Sequence, residues 1–133
     1  MEVSESKIVE LLFSDFLNLL PEAKDNNELL EKNFIIIGEV EEIGSKIVKL
    51  RDPFDEAESP LFLIANDANL IERIRSEKSS TIRAVIKMER EEDTLNLVLV
   101  SYTPIKEFAN LKNYYRAIIR SEYKLNTSLR NDI

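Results

Sequence analysis

The chain has 133 residues, 44% of them hydrophobic, a net charge of −7 and neither cysteine nor histidine. This composition suits one domain with its own hydrophobic core, and it excludes thiolate or imidazole zinc sites, Cys nucleophiles and His general bases. Because only two glycines are present, neither a GxGxxG turn nor a P-loop is available for nucleotide phosphates. Taken together, these exclusions lead us to expect a protein that is not an enzyme, with no catalytic residue, metal site, cofactor or small-molecule substrate.

The N-terminal region, residues 1–33, predicts a helix followed by a polar connector. The sequence begins Met-Glu-Val-Ser-Glu-Ser, without a basic region before an apolar core, and no apolar run is long enough to span a membrane. We therefore expect an intracellular protein, cytoplasmic or nuclear (nucleoid), with no membrane partner. Apolar residues at helical spacing predict a helix over residues 5–20, capped by Ser4 and ended by Pro21.

A barrel of five strands is predicted over residues 34–103. The strands are the segments rich in alternating apolar residues, at 34–44, 45–53, 61–65, 81–90 and 94–102. A helix capped by Asn66 or Asp67 separates the third strand from the fourth, and Gly38 in the first strand favours a bulge or a sharp bend. The predicted fold is mainly β with helices, because this order is that of a five-stranded OB-fold Greek-key barrel. Other α+β folds share the order, and periodicity alone does not separate them.

An amphipathic C-terminal helix is predicted over residues 104–125, with a frayed tail at residues 126–133. The apolar residues Phe108, Leu111, Tyr115 and Ile118 recur at 3-4-3 spacing along one side. Such a helix either folds back onto its own domain or faces a partner, and the spacing leaves both open. Beside these residues runs a cationic stripe, which is either solvated or faces an acidic partner or a nucleic-acid backbone. Its members are Lys112, Arg116, Arg120 and Lys124.

Three segments carry a resemblance to a known family, namely IIIGEVEEIG, VKLRDP followed by LFLIA, and above all LVLVSYTPIKEFANLKNYY. Over residues 28–122 the chain resembles the OB-fold of the middle subunit of replication protein A and its telomeric relatives. In that family the last strand ends in a Pro-Ile/Val-x-x-Phe-Asn element that leads into a helix of a trimerisation bundle. Pro104, Ile105 and Phe108 stand at comparable places, and Asn110 is displaced by one. The chain departs from the family at Arg51-Asp52-Pro53-Phe54, where an Asp-Gly-type turn is usual, and its N-terminal helix has no obvious counterpart.

The resemblance implies a subunit of a single-stranded-DNA-binding complex in DNA replication or repair, joined to other protein subunits through its C-terminal helix. The residues expected to bind a partner are Phe108, Leu111, Lys112, Tyr115, Arg116 and Ile118. An OB-fold binds single strands in a positive groove over its second and third strands, where aromatic side chains stack on bases. The nucleic-acid-binding candidates are Lys46, Lys49, Arg51, Phe62, Arg83 and Lys87. Of these, Phe62 is of a residue type that more often belongs to the core.

The charge distribution weakens the expectation of DNA binding. Residues 1–60 carry 15 acidic and 6 basic side chains, whereas residues 61–133 carry 10 acidic and 12 basic ones. We expect two acidic loops to flank the groove and repel phosphate. Their carboxylates are Asp52, Asp55, Glu56, Glu58, Glu89, Glu91, Glu92 and Asp93. The alternative function is therefore an OB-fold adaptor for a DNA polymerase or another replication or repair enzyme, with no DNA contact of its own. The spacing of these carboxylates is not that of a calcium loop, which favours solvated charge over a metal site.

Overall fold

The structure is a computed structural model that describes residues 8–78 and 80–131, with side chains as far as Tyr123. Within that part of the chain, strands and helices follow one another as in the predicted order, with one additional strand at the start. They are β1 (Ile8–Glu10), α1 (Phe13–Ala23), a 3₁₀ turn (Asn27–Glu31), β2 (Asn33–Ile43), β3 (Ile47–Arg51), β4 (Leu61–Ile64), α2 (Ala68–Glu77), β5 (Thr81–Glu91), β6 (Thr94–Pro104) and α3 (Phe108–Asn131).

The pairing of the strands closes the sheet into a barrel. β2 pairs antiparallel with both β3 and β5, β3 pairs with β4, and β5 pairs with β6. β4 and β6 run parallel and meet at Ile64 and Val98, which completes the circuit β2-β3-β4-β6-β5. This is the five-stranded, partly open barrel of the OB-fold, so the predicted fold class is confirmed. β1 is added in parallel beside the first residues of β2.

Helices close the two ends of the barrel. Ala23, at the end of α1, accepts a hydrogen bond through its carbonyl from Arg90, which lies beside the β5–β6 hairpin. α2 lies at the opposite end of β6, where Glu77 accepts a hydrogen bond from the Tyr102 hydroxyl. Phe16 of α1 is fully buried and its ring lies 5.4 Å from that of Phe34 in the core. Each such aromatic or aliphatic side chain stabilises the fold by about 1.5–3 kcal/mol on burial.

Gly38 is required by the side chain of Leu50, which packs against it, and not by a bulge. It is regularly paired with Ile82, and the irregularity in β2 lies between Val40 and Glu42. A Cβ atom at residue 38 would lie 2.8 Å from Cδ1 of Leu50 on β3. The bulge expected at Gly38 is therefore displaced along the strand, and the glycine is explained by packing inside the barrel.

Both flanking helices differ from their predicted bounds. The helix expected over residues 5–20 is wrong in its first part, because Ile8–Glu10 form β1 and α1 begins only at Phe13. Residues 1–7, including the expected cap at Ser4, lie outside the described residues. α1 continues through Pro21 to Ala23, so the proline does not end the helix and only removes one backbone N–H donor from its last turn.

The C-terminal helix starts later and ends later than predicted. The backbone N–H of Ile105 donates to the carbonyl of Thr81, which ties the chain to the sheet beyond Pro104, so α3 begins only at Phe108. α3 then runs to Asn131, and the tail expected to fray from residue 126 is helical as far as that residue. No helix in the described part of the chain has the length and apolarity needed to cross a membrane.

Candidate nucleic-acid and protein interfaces

The outward side of β3 and β4 brings three of the nucleic-acid-binding candidates together. We call Ile47, Lys49, Arg51, Phe62 and Ile64 the β3–β4 face. Lys49 lies directly opposite Phe62 across the two strands, with its Nζ 5.8 Å from the ring centroid. Phe62 is 55% exposed, because its neighbours Leu61 and Leu63 point into the barrel. The expectation that Phe62 belongs to the core is therefore wrong, and its ring is available for stacking.

The cations of the β3–β4 face are already paired with carboxylates from β2. Arg51 lies opposite Glu39 in the sheet, and its guanidinium is 2.7 Å from the Glu39 carboxylate. Glu41, at the irregularity of β2, lies 3.6 Å from Nζ of Lys49. These four side chains carry no net charge. Phosphate binding here requires the cations to exchange a carboxylate for a phosphate, which lowers the affinity gained from counterion release.

Of the other basic candidates, Lys46 and Lys87 lie near this face and Arg83 lies away from it. Lys46 is exposed in the turn just before Ile47, and Lys87 is exposed on β5 opposite Val98, the residue that pairs with Ile64. Arg83 lies elsewhere on the barrel, opposite Ile37, and donates two hydrogen bonds of 3.0 and 3.1 Å to Glu10. These bonds to Glu10 raise the pKa of Arg83. The structure does not bring Arg83 to the β3–β4 face.

The loop between β3 and β4 is organised by a buried carboxylate. Asp52 is only 3% exposed. Its two oxygens accept the backbone N–H groups of Phe54, Glu56 and Ala57 at 2.9, 2.9 and 2.8 Å. The chain needs this carboxylate because the loop would otherwise bury backbone donors without acceptors. Asp52 therefore shapes the loop and is not one of the exposed charges that repel phosphate.

The first half of α3 packs against this loop and the adjacent side of the barrel. Phe54 and Ile119 are buried there in a small apolar cluster, separate from the main core, that also includes Leu12 and Ile37. The ring of Phe108 meets that of Phe54 edge-on, with centroids 5.5 Å apart. The sequence left open whether α3 folds back onto its domain, and this side of the helix does so.

The cationic stripe of α3 pairs with carboxylates of the same loop. Lys112 Nζ lies 3.2 Å from Asp55, and the guanidinium groups of Arg116 and Arg120 each lie 2.8 Å from Glu56. The Ser14 hydroxyl also donates to Glu56, at 3.2 Å. Burial alone would raise the pKa of Glu56, but its bonds to Arg116, Arg120 and Ser14 hold the pKa below the usual value.

Two consequences follow for the predicted sites. Asp55 and Glu56, expected to flank a DNA groove as free charges, are neutralised by α3. Lys112 and Arg116, expected to bind a partner, form ion pairs within the chain. The side chain of Lys124 lies outside the described part.

Another side of α3 remains exposed and apolar. Leu111 is 42%, Tyr114 63% and Ile118 38% exposed, and their spacing of three and four residues aligns them along the helix. We call these three residues the α3 stripe. The sequence had placed Phe108, Leu111, Tyr115 and Ile118 on one seam, whereas the structure divides that seam between a packed side and an exposed side. Tyr114 was missed because a single apolar face was assumed.

Carboxylates outside these pairs do not form a metal site in the described ranges 8–78 and 80–131. No group of three or more carboxylate side chains there is arranged to hold a metal ion. Glu89, Glu91, Glu92 and Asp93 lie exposed around the β5–β6 hairpin, at the end of the barrel that α1 closes.

Comparison with known proteins supports the fold. No protein-family model matches the chain, and no curated protein does either. Among solved structures, a chain in the crystal structure of the S. pombe Stn1-ten1 complex is similar, with a TM-score of 0.54 and 14% sequence identity. The similarity covers 75% of this chain and 76% of that chain. At this identity the comparison shows a shared OB-fold with flanking helices.

Proposed function

We propose that this protein is a non-enzymatic OB-fold subunit of a replication-protein-A-like complex that binds single-stranded DNA in replication or repair. It assembles with its partner subunits through the α3 stripe and binds DNA only weakly itself. The observation that carries the proposal is the exposure of Leu111, Tyr114 and Ile118 on a helix whose other side is fixed to the barrel. Covering these side chains would add a few kcal/mol of hydrophobic free energy to association. The similar solved structure is likewise that of a complex.

The weak contribution to DNA binding is assigned to the β3–β4 face. Phe62 offers an exposed ring beside Lys49, and stacking of one base on such a ring is worth about 1–3 kcal/mol. The carboxylates Glu39 and Glu41 oppose phosphate at the same place. A face of this kind can support a single strand that other subunits hold more strongly.

The assembly proposal is tested with charged substitutions in the α3 stripe. Leu111→Asp with Ile118→Asp adds two negative charges to the stripe, and Asn110→Asp with Asn113→Asp adds the same charge to exposed positions beside it. A native pull-down from the source cells, followed by mass measurement, identifies the complex. We expect the first double variant to lose its partners and the second to retain them, with both melting like the unaltered protein. Complexes of unchanged mass from the first variant would refute assembly through the stripe.

A second function is favoured by the ion pairs of the β3–β4 face, namely an adaptor for a replication or repair enzyme without DNA contact. Because Lys49 and Arg51 are already neutralised, this candidate predicts no salt-dependent binding of single strands. A titration of oligothymidylate at several salt concentrations distinguishes the two functions. If the affinity of the complex falls with salt and also falls on Phe62→Ala, the DNA-binding subunit is supported. If the affinity falls neither with salt nor on Phe62→Ala, the adaptor function is supported.

A further inference from the structure

The negative charge of the protein is concentrated at the end of the barrel that α1 closes. Residues 21–32 and 89–93 carry eight acidic and three basic side chains, a net charge of −5 out of −7 for the whole chain. These segments lie side by side, because Arg90 donates to the Asn27 side chain at 2.8 Å and to the Ala23 carbonyl at 3.0 Å. Both acceptors are uncharged, so these bonds neutralise none of the eight acidic side chains.

An apolar groove lies within this acidic end, between α1 and the start of β6. It has a volume of about 570 Å³, and its apolar lining is provided by Leu17, Leu20, Pro21 and Leu95. Asp93 and Lys24 are its charged lining residues. An adjoining depression shares Lys24, Asp93 and Leu95 with it and adds Asp25, Glu92 and Arg90, so three carboxylates and two cations surround the groove. The groove shares no residue with the α3 stripe or with the β3–β4 face.

We propose that this groove binds a cationic amphipathic segment of a partner protein. The leucines would contact apolar side chains of the segment, while the surrounding carboxylates would pair with its lysines or arginines, as expected for complementary potentials across an interface. The sign of the charge excludes the other large partners. Nucleic acid and anionic membranes would be repelled by this end. A second copy of the chain is a poor partner, because its own acidic end would repel this one. Its α3 cations Lys112, Arg116 and Arg120 are already paired with its own carboxylates.

This inference goes beyond the proposed function because it adds a second protein-binding surface. The α3 stripe consists of uncharged side chains, so association through it would depend little on salt. An acidic groove depends on complementary charge, so its complexes form faster and weaken with salt. The two surfaces can therefore be tested separately.

The first test uses two synthetic peptides with the unaltered protein. One is an amphipathic helix of leucine and lysine, and the other has serine in place of each leucine and the same charge. Binding is followed by fluorescence anisotropy and by amide chemical shifts. We expect the leucine peptide alone to bind, with shifts confined to residues 17–25 and 92–95. Equal binding of both peptides, or shifts centred on the α3 stripe or on the β3–β4 face, would overturn the proposal.

The second test compares two charge-reversed proteins of equal net charge. Asp25→Lys with Asp93→Lys changes the groove, and Glu58→Lys with Glu107→Lys changes exposed carboxylates elsewhere; each pair brings the net charge from −7 to −3. The loss of two exposed attractions and the gain of two repulsions should weaken binding of the leucine peptide by about tenfold in the first protein only. An equal loss in both would mean that total charge alone attracts the peptide, and the proposal would fall. The peptide comparison decides the matter even if a variant does not fold.

Discussion

Glu56 connects the β3–β4 loop to α3, and its replacement by glutamine isolates the electrostatic part of this contact. The carboxylate receives hydrogen bonds of 2.8 Å from both Arg116 and Arg120, and 23% of its side chain is exposed. Exposed ion pairs are worth about 0.2–1 kcal/mol each, and two short bonds to one carboxylate form a small network that places these two toward the upper end. We expect Glu56→Gln to reduce the free energy of unfolding by about 1–2 kcal/mol, which lowers Tm by about 3–8 °C.

The matched control is Glu58→Gln, which removes a carboxylate from the same loop. Glu58 is exposed and takes no part in the ion pairs with α3. Thermal unfolding gives the global effect, and hydrogen exchange of the amides in residues 108–123 gives the local one. If Glu56→Gln melts like Glu58→Gln and α3 exchanges no faster, the ion pairs do not hold α3 to the barrel and the reasoning is refuted.

The same stabilisation should depend on pH with a definite sign. The pKa of Glu56 is lower in the folded protein than its ordinary value of 4.5. Its contribution is therefore complete above pH 4.5 and is lost as the pH falls through the folded-state pKa. The difference in stability between the unaltered protein and Glu56→Gln should be constant near neutral pH and should vanish in acid. Salt at about 1 M, where the screening length is about 3 Å, should also reduce it.

Three further substitutions test features of the barrel and its loops. Gly38→Ala places a Cβ atom 2.8 Å from Cδ1 and 3.2 Å from Cβ of Leu50 and should reduce the free energy of unfolding by about 1–3 kcal/mol in denaturant. Unchanged stability would mean that the Leu50 side chain moves aside without cost. Asp52→Ala removes the acceptor of three backbone N–H groups and should reduce the free energy of unfolding in denaturant by about 2–4 kcal/mol. A reduction below about 0.5 kcal/mol would contradict the role of Asp52 in the loop. Burial and the Glu77 carboxylate raise the pKa of Tyr102 from 10.0 to about 12. The free energy of unfolding should therefore fall between pH 10 and 12, and ultraviolet absorbance should show one tyrosine that ionises late and is absent from Tyr102→Phe.

The barrel could be predicted from the sequence because its signals are local. Alternation in LFLI places Leu61 and Leu63 on one side of β4 and Phe62 on the other, which the structure confirms. The expectation that Phe62 is buried came from its residue type, and the alternation alone would have corrected it. β1 could not be predicted in the same way, because three residues are too few to show a period and Ile8 also fitted the helix expected over 5–20.

The packing of α3 depends on contacts that sequence periodicity does not contain. Lys112 pairs with Asp55 and Arg120 with Glu56, which are 57 and 64 residues apart in the chain. A stripe of cations at i+4 spacing looks the same whether it meets water, a partner or the chain's own loop. The division of the apolar seam into a packed and an exposed side likewise reflects contacts with Phe54, which is distant in the chain, so neither feature could be obtained from the spacing alone.

The small cluster beneath α3 determines where this protein can be shortened. Removing the chain after Pro104 would expose Phe54 and Ile37 to water and would leave Asp55 and Glu56 without their cations. A barrel without α3 would therefore be less stable than the intact protein and would be prone to aggregate through the uncovered apolar surface. Loss of binding in such a fragment would say nothing about which surface meets a partner. Interfaces in this protein should be located with point substitutions in a chain that keeps α3.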